Sequence, residues 1–264
     1  MDKERLRFLG PPKSPRDILD RGIENLLLES VRIHAEGVEN IPPTGQFVVG
    51  YLPHSGWAGP FAIDRLIGQV RERPVWVTRA ETRSQVPHLL LGERQFMFIT
   101  RERPETAVLK DIGRILLHPQ GIVAFAFEGT RRGNPEDRND LRTLSEAKTG
   151  LVRIATRARV PILPIIVLGE DKIIPSPEDI KKESGTVGVI KALIGAISKK
   201  EKPLLQMRIL PFYRGHLSDE GEFSGGNIKA HAQFHTDRIV REVAIPALLE
   251  MEQDYPLGFY TPKQ

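Results

Sequence analysis

Two kinds of hydrophobic pattern alternate along this chain. The first is the short unbroken apolar run: Phe47–Leu52, Ile122–Phe127 and Ile162–Leu168, with Val75–Thr78, Phe96–Thr100 and Leu204–Leu210 as weaker examples. Runs of this length without polar alternation read as strands covered on both faces. The second is the helical period. Ile18, Leu19, Ile23, Leu26, Leu27 and Val31 share one face after a start signal at Ser14-Pro15. Trp57–Val70 reads as a helix, as does a shorter stretch around Leu89–Leu91. In Thr106–Leu117 the residues Val108, Leu109, Ile112, Ile115 and Leu116 point inward. Ser145–Arg157 and His231–Met251 complete the set, the last with a break or restart expected near Pro246. A short extended piece over Ile33–Val38 precedes a turn cluster at Asn40–Gly45.

Strands alternating with helices of this length predict an α/β fold: a largely parallel central sheet flanked by helices. The expected organisation is an N-terminal arm and helix over 1–30, an α/β domain over 31–215, and a C-terminal helical extension over 216–264 packed on it. Pro175–Pro203 reads as an inserted helical region, Asn134–Asp140 as a charged loop, and Gly221–Gly226 as a flexible loop.

The buried runs end in chemistry. Phe125-Ala126-Phe127 passes directly into Glu128-Gly129-Thr130-Arg131-Arg132, and Tyr51-Leu52 into Pro53-His54-Ser55-Gly56-Trp57. In open α/β sheets ligands bind at the carboxyl ends of the strands. Gly129 permits a tight turn there, and Arg131 can fork onto a phosphate or carboxylate. Phe96-Met97-Phe98-Ile99-Thr100-Arg101 ends in a second such arginine, and Val160-Pro161-Ile162-Leu163-Pro164 opens a further strand. The order and spacing of these four blocks resemble the glycerolipid (phospholipid/glycerol, 1-acylglycerol-3-phosphate-type) acyltransferase superfamily, from about Val31 to about Phe212. In that family the first block is His, four residues, then Asp; the second is an apolar run ending in Arg. The third is Phe-Pro-Glu-Gly-Thr-Arg and the fourth Val-Pro-Ile-x-Pro. Here Phe127 takes the proline's place, and Gly59 stands where the family has its Asp.

The resemblance implies acyl transfer from acyl-CoA or acyl carrier protein to a hydroxyl of a glycerol phosphate or lysophospholipid. His54 would be the general base, a task that suits a neutral imidazole near pH 7. Arg101, Glu128, Gly129, Thr130 and Arg131 would form the acceptor site. The family's Asp orients the imidazole, so Gly59 leaves that role open. Asp64 is the nearest acid downstream, but in a helix it stands about 7.5 Å and about 140° from position 59. It fits only if Ala58-Gly59-Pro60 is not helical; Glu128 or a backbone carbonyl are the alternatives. A chain that had lost the His-Asp dyad could instead be a non-catalytic lipid-binding relative. Transfer to another acceptor, such as an amino-lipid or glycolipid, is a further alternative.

Composition narrows the classes. The 264 residues contain no cysteine, which excludes disulfides, thiolate metal sites and cysteine nucleophiles. No secretory leader is evident after Met1, and no run approaches the 18 apolar residues of a spanning helix. The expected location is therefore cytoplasmic and peripheral to the membrane. A net charge of +4 with 6% aromatic residues suits an anionic surface or donor better than nucleic acid. No metal or redox cofactor is expected. His231 and His235 have a ligand-like spacing but lack an accompanying acid, and Ser55 lacks a Gly-x-Ser-x-Gly setting.

Overall fold

The computed structural model describes residues 29–53, 58–79, 96–100, 105–128, 147–170, 201–218 and 227–251. Seven strands form one sheet: β1 (Arg32–Glu36), β2 (Phe47–Leu52), β3 (Val75–Arg79), β4 (Phe96–Ile99), β5 (Ile122–Ala126), β6 (Ile162–Leu168) and β7 (Leu204–Ile209). Their spatial order is β1-β7-β6-β2-β5-β3-β4. Every pairing is parallel except β6 with β7. The expected α/β class, mostly parallel and flanked by helices, is the class observed.

β2 lies at the centre, and its alternating side chains sort the interior into two layers. Phe47, Val49 and Tyr51 face one layer with Phe61, Ile63 and Ile67 of α1 (Ala58–Val70). Val48 and Leu52 face the other. That second layer holds α2 (Glu105–Leu116) and α3 (Gly150–Ala158). It also holds the C-terminal helices α5 (Ile228–Arg238) and α6 (Ile245–Met251). A four-residue helix α4 (Gly215–Ser218) leads towards α5. Because both faces of β2 and β6 are covered, all their residues are buried, which is why these two strands read as unbroken apolar runs.

Several boundaries differ from expectation for local reasons. The helix expected from Ser145 begins at Gly150; just before it, Lys148 N–H donates to the Phe127 carbonyl (2.7 Å), which ties Lys148 to the end of β5. α5 starts at Ile228, with the Asn227 side chain accepting from Ala230 N–H as a cap. Between α5 and α6 the helix widens into a π segment, Ile239–Ala244, immediately before Pro246. Pro246 has no N–H to return to the preceding turn, so the expected break is a bulge within a continuing helix. The helix expected from Ser14, apart from its end at 29–31, and the one around Leu89–Leu91 lie outside the described residues, as do the loops at 134–140 and 221–226 and nearly all of 175–203.

At the amino ends of the strands one guanidinium joins three loops. Arg71 donates to the carbonyls of Pro42 (3.1 Å), Gly45 (2.6 Å) and Gln120 (3.3 Å), and to the Gln120 side-chain oxygen (2.6 Å). It also lies over the Phe47 ring, 5.1 Å from its centroid. Burial lowers its pKa, and the neighbouring Glu72 carboxylate opposes the shift.

Candidate active site

The carboxyl ends of β5, β2 and β6 lie side by side. Tyr51 pairs with Ala126 on one flank of β2, and Leu52 with Ile166 on the other. Phe127 N–H donates to the Tyr51 carbonyl (3.0 Å), so the β2–β5 pairing continues to the residue before Glu128. Pro53, joined to Leu52 by a cis peptide bond, therefore stands level with Glu128 on one side and with Val167 on the other, where the chain runs on to Gly169-Glu170. Both glutamates are only 1% exposed. The strand that precedes Arg101, β4, ends at the same rim but stands three places from β2, roughly 14 Å across the sheet. His54, Arg101, Gly129, Thr130 and Arg131 lie outside the described residues. Of the acceptor residues expected from sequence, Glu128 is the one whose burial and neighbours are visible.

Gly59 and Asp64 are both described. Gly59 belongs to the first turn of α1, so the condition under which Asp64 could stand in for an acid at position 59 is not met. Asp64 is committed elsewhere. It is fully buried; Arg73 Nη1 donates to its Oδ2 (2.8 Å) and Trp76 Nε1 to its Oδ1 (3.1 Å). Its work is to fasten α1 to the start of β3.

Sequence reasoning missed Glu170. At the end of β6 the chain turns through Gly169, whose φ is +95° and where a Cβ would lie 2.1 Å from the Leu204 carbonyl oxygen. Only glycine fits there. The turn sends the Glu170 side chain back to the beginning of α1, where its Oε1 accepts from Gly59 N–H (2.6 Å). A Cβ on residue 59 would lie 2.7 Å from that same oxygen and 3.0 Å from the carboxyl carbon. The signal was present in the sequence. Leu168-Gly169-Glu170 repeats the feature that singled out Glu128, an acid at the carboxyl end of a buried strand.

Phe127, in the position of the family's proline, is fully buried in the second layer. Its ring occupies the space over Gly50: a Cβ there would fall 2.3 Å from Phe127 Cε2 and 2.7 Å from Leu151 Cδ1. The bulky residue on β5 is thus accommodated by a bare backbone on β2.

His231 and His235 are both buried, with ring centroids 4.5 Å apart. His235 Nδ1 shares a hydrogen bond with the Tyr213 hydroxyl, and His216 stacks on the Tyr213 ring. His216 Nε2 donates to the Val160 carbonyl (2.9 Å). Burial pushes the His216 pKa down to about 4 against the upward pull of that carbonyl, with the neighbouring histidines adding to the depression. Among the described residues no group of histidines and acids is arranged to hold a metal ion. A cavity of about 530 Å³ opens between α2 and α3, lined by Leu109, Arg114, Leu117, Ile154 and Arg157 among others. It lies towards the C-terminal ends of those helices, away from the rim that carries Glu128 and Glu170.

A mostly parallel sheet whose strands β5 and β6 end in the buried acids Glu128 and Glu170 defines an α/β class with its candidate site at the strands' carboxyl ends. The sequence profile of the acyltransferase family matches residues 32–168, just over half of the chain. The chain therefore belongs to the acyltransferase family. Its fold is similar to that of the 1-acyl-sn-glycerophosphate (LPA) acyltransferase PlsC from Thermotoga maritima. The TM-score is 0.52 at 16% identity, over 89% of this chain and 81% of that one. No curated protein matches the chain in sequence.

Proposed function

We propose that this protein transfers a fatty acyl group from acyl-CoA or acyl carrier protein to a hydroxyl of a glycerol phosphate or lysophospholipid, with His54 as the general base. The observation that carries this reading is the parallel register of β2 and β5. It brings the segment leading into His54 and the segment leading into Glu128-Gly129-Thr130-Arg131 out of the sheet as neighbours. His54 takes the acceptor's proton as the hydroxyl oxygen attacks the thioester carbonyl carbon. The tetrahedral intermediate collapses with cleavage of the carbon–sulfur bond. The proton then passes from the imidazolium to the departing thiolate, leaving an ester and a free thiol. Arg131 and Arg101 hold the acceptor phosphate, and Glu128, Gly129 and Thr130 shape its pocket. No resident metal or cofactor takes part in this scheme.

A phospholipid acceptor resides in a bilayer. Among the described residues no helix is long and apolar enough to cross a membrane. The reading has the protein meet that acceptor at the membrane surface from the cytoplasm. Gly59, in place of the family's Asp, favours a second reading: a relative that binds lysolipid without turnover.

One assay separates the two. Thiol release from palmitoyl-CoA is followed with and without lysophosphatidic acid, for wild type and His54→Ala. Acceptor-dependent release that disappears in His54→Ala supports transfer with His54 as base. Lysolipid binding without release, for acyl-CoA and acyl carrier protein donors alike, supports the binding protein.

A further inference from the structure

We infer that Glu170 is the positioning residue for His54, supplying from the end of β6 the carboxylate that α1 lacks at Gly59. The inference rests on the proposed role of His54 and deepens it.

A histidine that takes a proton in a transition state becomes an imidazolium. A buried carboxylate beside it selects the ring tautomer and stabilises that cation. The carboxylate need not come from any particular element, only reach the correct volume. Position 59 lies five residues after His54, in the first turn of the helix that the His54 loop enters. A side chain rooted there would project into space already filled. Glu170 Oε1 lies 2.7 Å from where its Cβ would be, and the carboxyl carbon 3.0 Å. Glycine at 59 and glutamate at 170 are therefore linked choices. The first clears the site, and the second occupies it with the same functional group on a longer stem.

The placement is specific. Gly59 N–H anchors one carboxylate oxygen at 2.6 Å, and the residue is 1% exposed. The glutamate's own root is fixed by the Gly169 turn. β6 is the strand paired with β2; Pro53 is level with Val167, and three residues further on Glu170 meets the start of α1, the helix that follows the His54 segment. The other carboxylates near the loop are less well placed. Asp64 is engaged with Arg73 and Trp76. Glu128 borders Pro53 from the β5 side, in the segment assigned to the acceptor.

A purely structural Glu170 would cap α1 through Gly59 N–H and do nothing to His54. Glu170→Gln separates the roles, because the amide oxygen still accepts from Gly59 N–H while the charge is lost. The measurement is the pH titration of the His54 ring by ¹H–¹⁵N NMR in the full-length protein, the resonance assigned by its loss in His54→Ala. Glu170→Gln is expected to lower the His54 pKa by about 1 unit or more, whereas Glu128→Gln leaves it within a few tenths. In Glu170→Gly the pKa falls as well, and adding Gly59→Asp to that variant returns it towards wild type.

In the thiol-release assay Glu170→Gln is expected to reduce kcat/KM by between about 10²- and 10⁴-fold and to shift the acid limb of the pH profile with the His54 titration. A His54 titration unchanged in Glu170→Gln overturns the inference, as does a shift produced by Glu128→Gln instead. A wild type that releases no thiol but whose His54 responds to Glu170→Gln upholds the pairing while removing the proposed reaction.

Discussion

Asp64→Asn is expected to cost about 3 kcal/mol of stability and to leave acyl transfer per folded molecule unchanged. The carboxylate is fully buried and takes one hydrogen bond from a guanidinium and one from an indole. Its Arg73 partner keeps only 17% of its side chain exposed, so water cannot replace the lost charge. Asparagine can accept from one donor, but its NH₂ then faces the other. A hydrogen bond to a charged group contributes about 1.5–3 kcal/mol. Breaking a buried pair by removing one partner costs about 3–5 kcal/mol. The residual pair in Asp64→Asn places the loss at the lower end of that range. Urea unfolding followed by far-UV circular dichroism reads it directly: with an m-value of about 3 kcal/mol/M, the midpoint falls by about 1 M. A midpoint that moves by less than about 0.3 M refutes the assignment of Asp64 as the fastener of α1 to β3. A fall in kcat beyond the loss of folded protein refutes its separation from the catalytic rim.

Gly50→Ala is expected to destabilise by about 1–3 kcal/mol, since the new methyl meets the buried Phe127 ring. Calorimetry should show a lower Tm, part of it restored by adding Phe127→Leu. Arg71→Ala breaks four hydrogen bonds that join three loops and should cost about 2–4 kcal/mol in denaturant unfolding. Arg71→Lys should recover only part, because a single ammonium cannot span the carbonyls. His216 binds its proton at about pH 4 in the folded chain against 6.5 in its absence. Its depressed pKa makes stability fully present above about pH 6.5 and lost progressively as the pH falls to about 4. At about 1.4 kcal/mol per pH unit the loss reaches about 3 kcal/mol. His216→Phe should flatten that limb in unfolding experiments between pH 7 and 4, and an unchanged limb would refute the assignment.

The parts of this fold that were legible are those governed by local rules. Phe47–Leu52 and Ile162–Leu168 have the bounds expected of them because each is covered on both faces, so every residue answers to the same requirement. The reversal of β7 against β6 carries no such mark. A strand's direction depends on the connection before it, and its own residues only report burial. The four sequence blocks identify a rim but not how it is wired. Asp64 could be weighed from helix geometry alone, yet its partners lie in Arg73 and Trp76, whose approach depends on how α1 meets β3. Glu170 was overlooked for a related reason. Its contact with Gly59 joins residues 111 positions apart, and no local period predicts such a meeting.

The edge strand β1 has a consequence for the order in which the molecule is made. Its pairing partner in the sheet is β7, from Arg32 with Leu204 to Glu36 with Arg208. Arg208 also bridges Glu36 (2.9 Å) and Glu250 (2.7 Å), gathering the first strand, the last strand and the final described helix at one guanidinium. On the ribosome β1 emerges first, but 172 residues separate Glu36 from Arg208. Strands β2 to β6 have all been made by Leu168, so they can pair with one another while β1 waits with an open edge. During synthesis, then, the earliest strand is among the last to be sealed, and the interval until β7 appears is when this chain most needs protection from pairing with a neighbour.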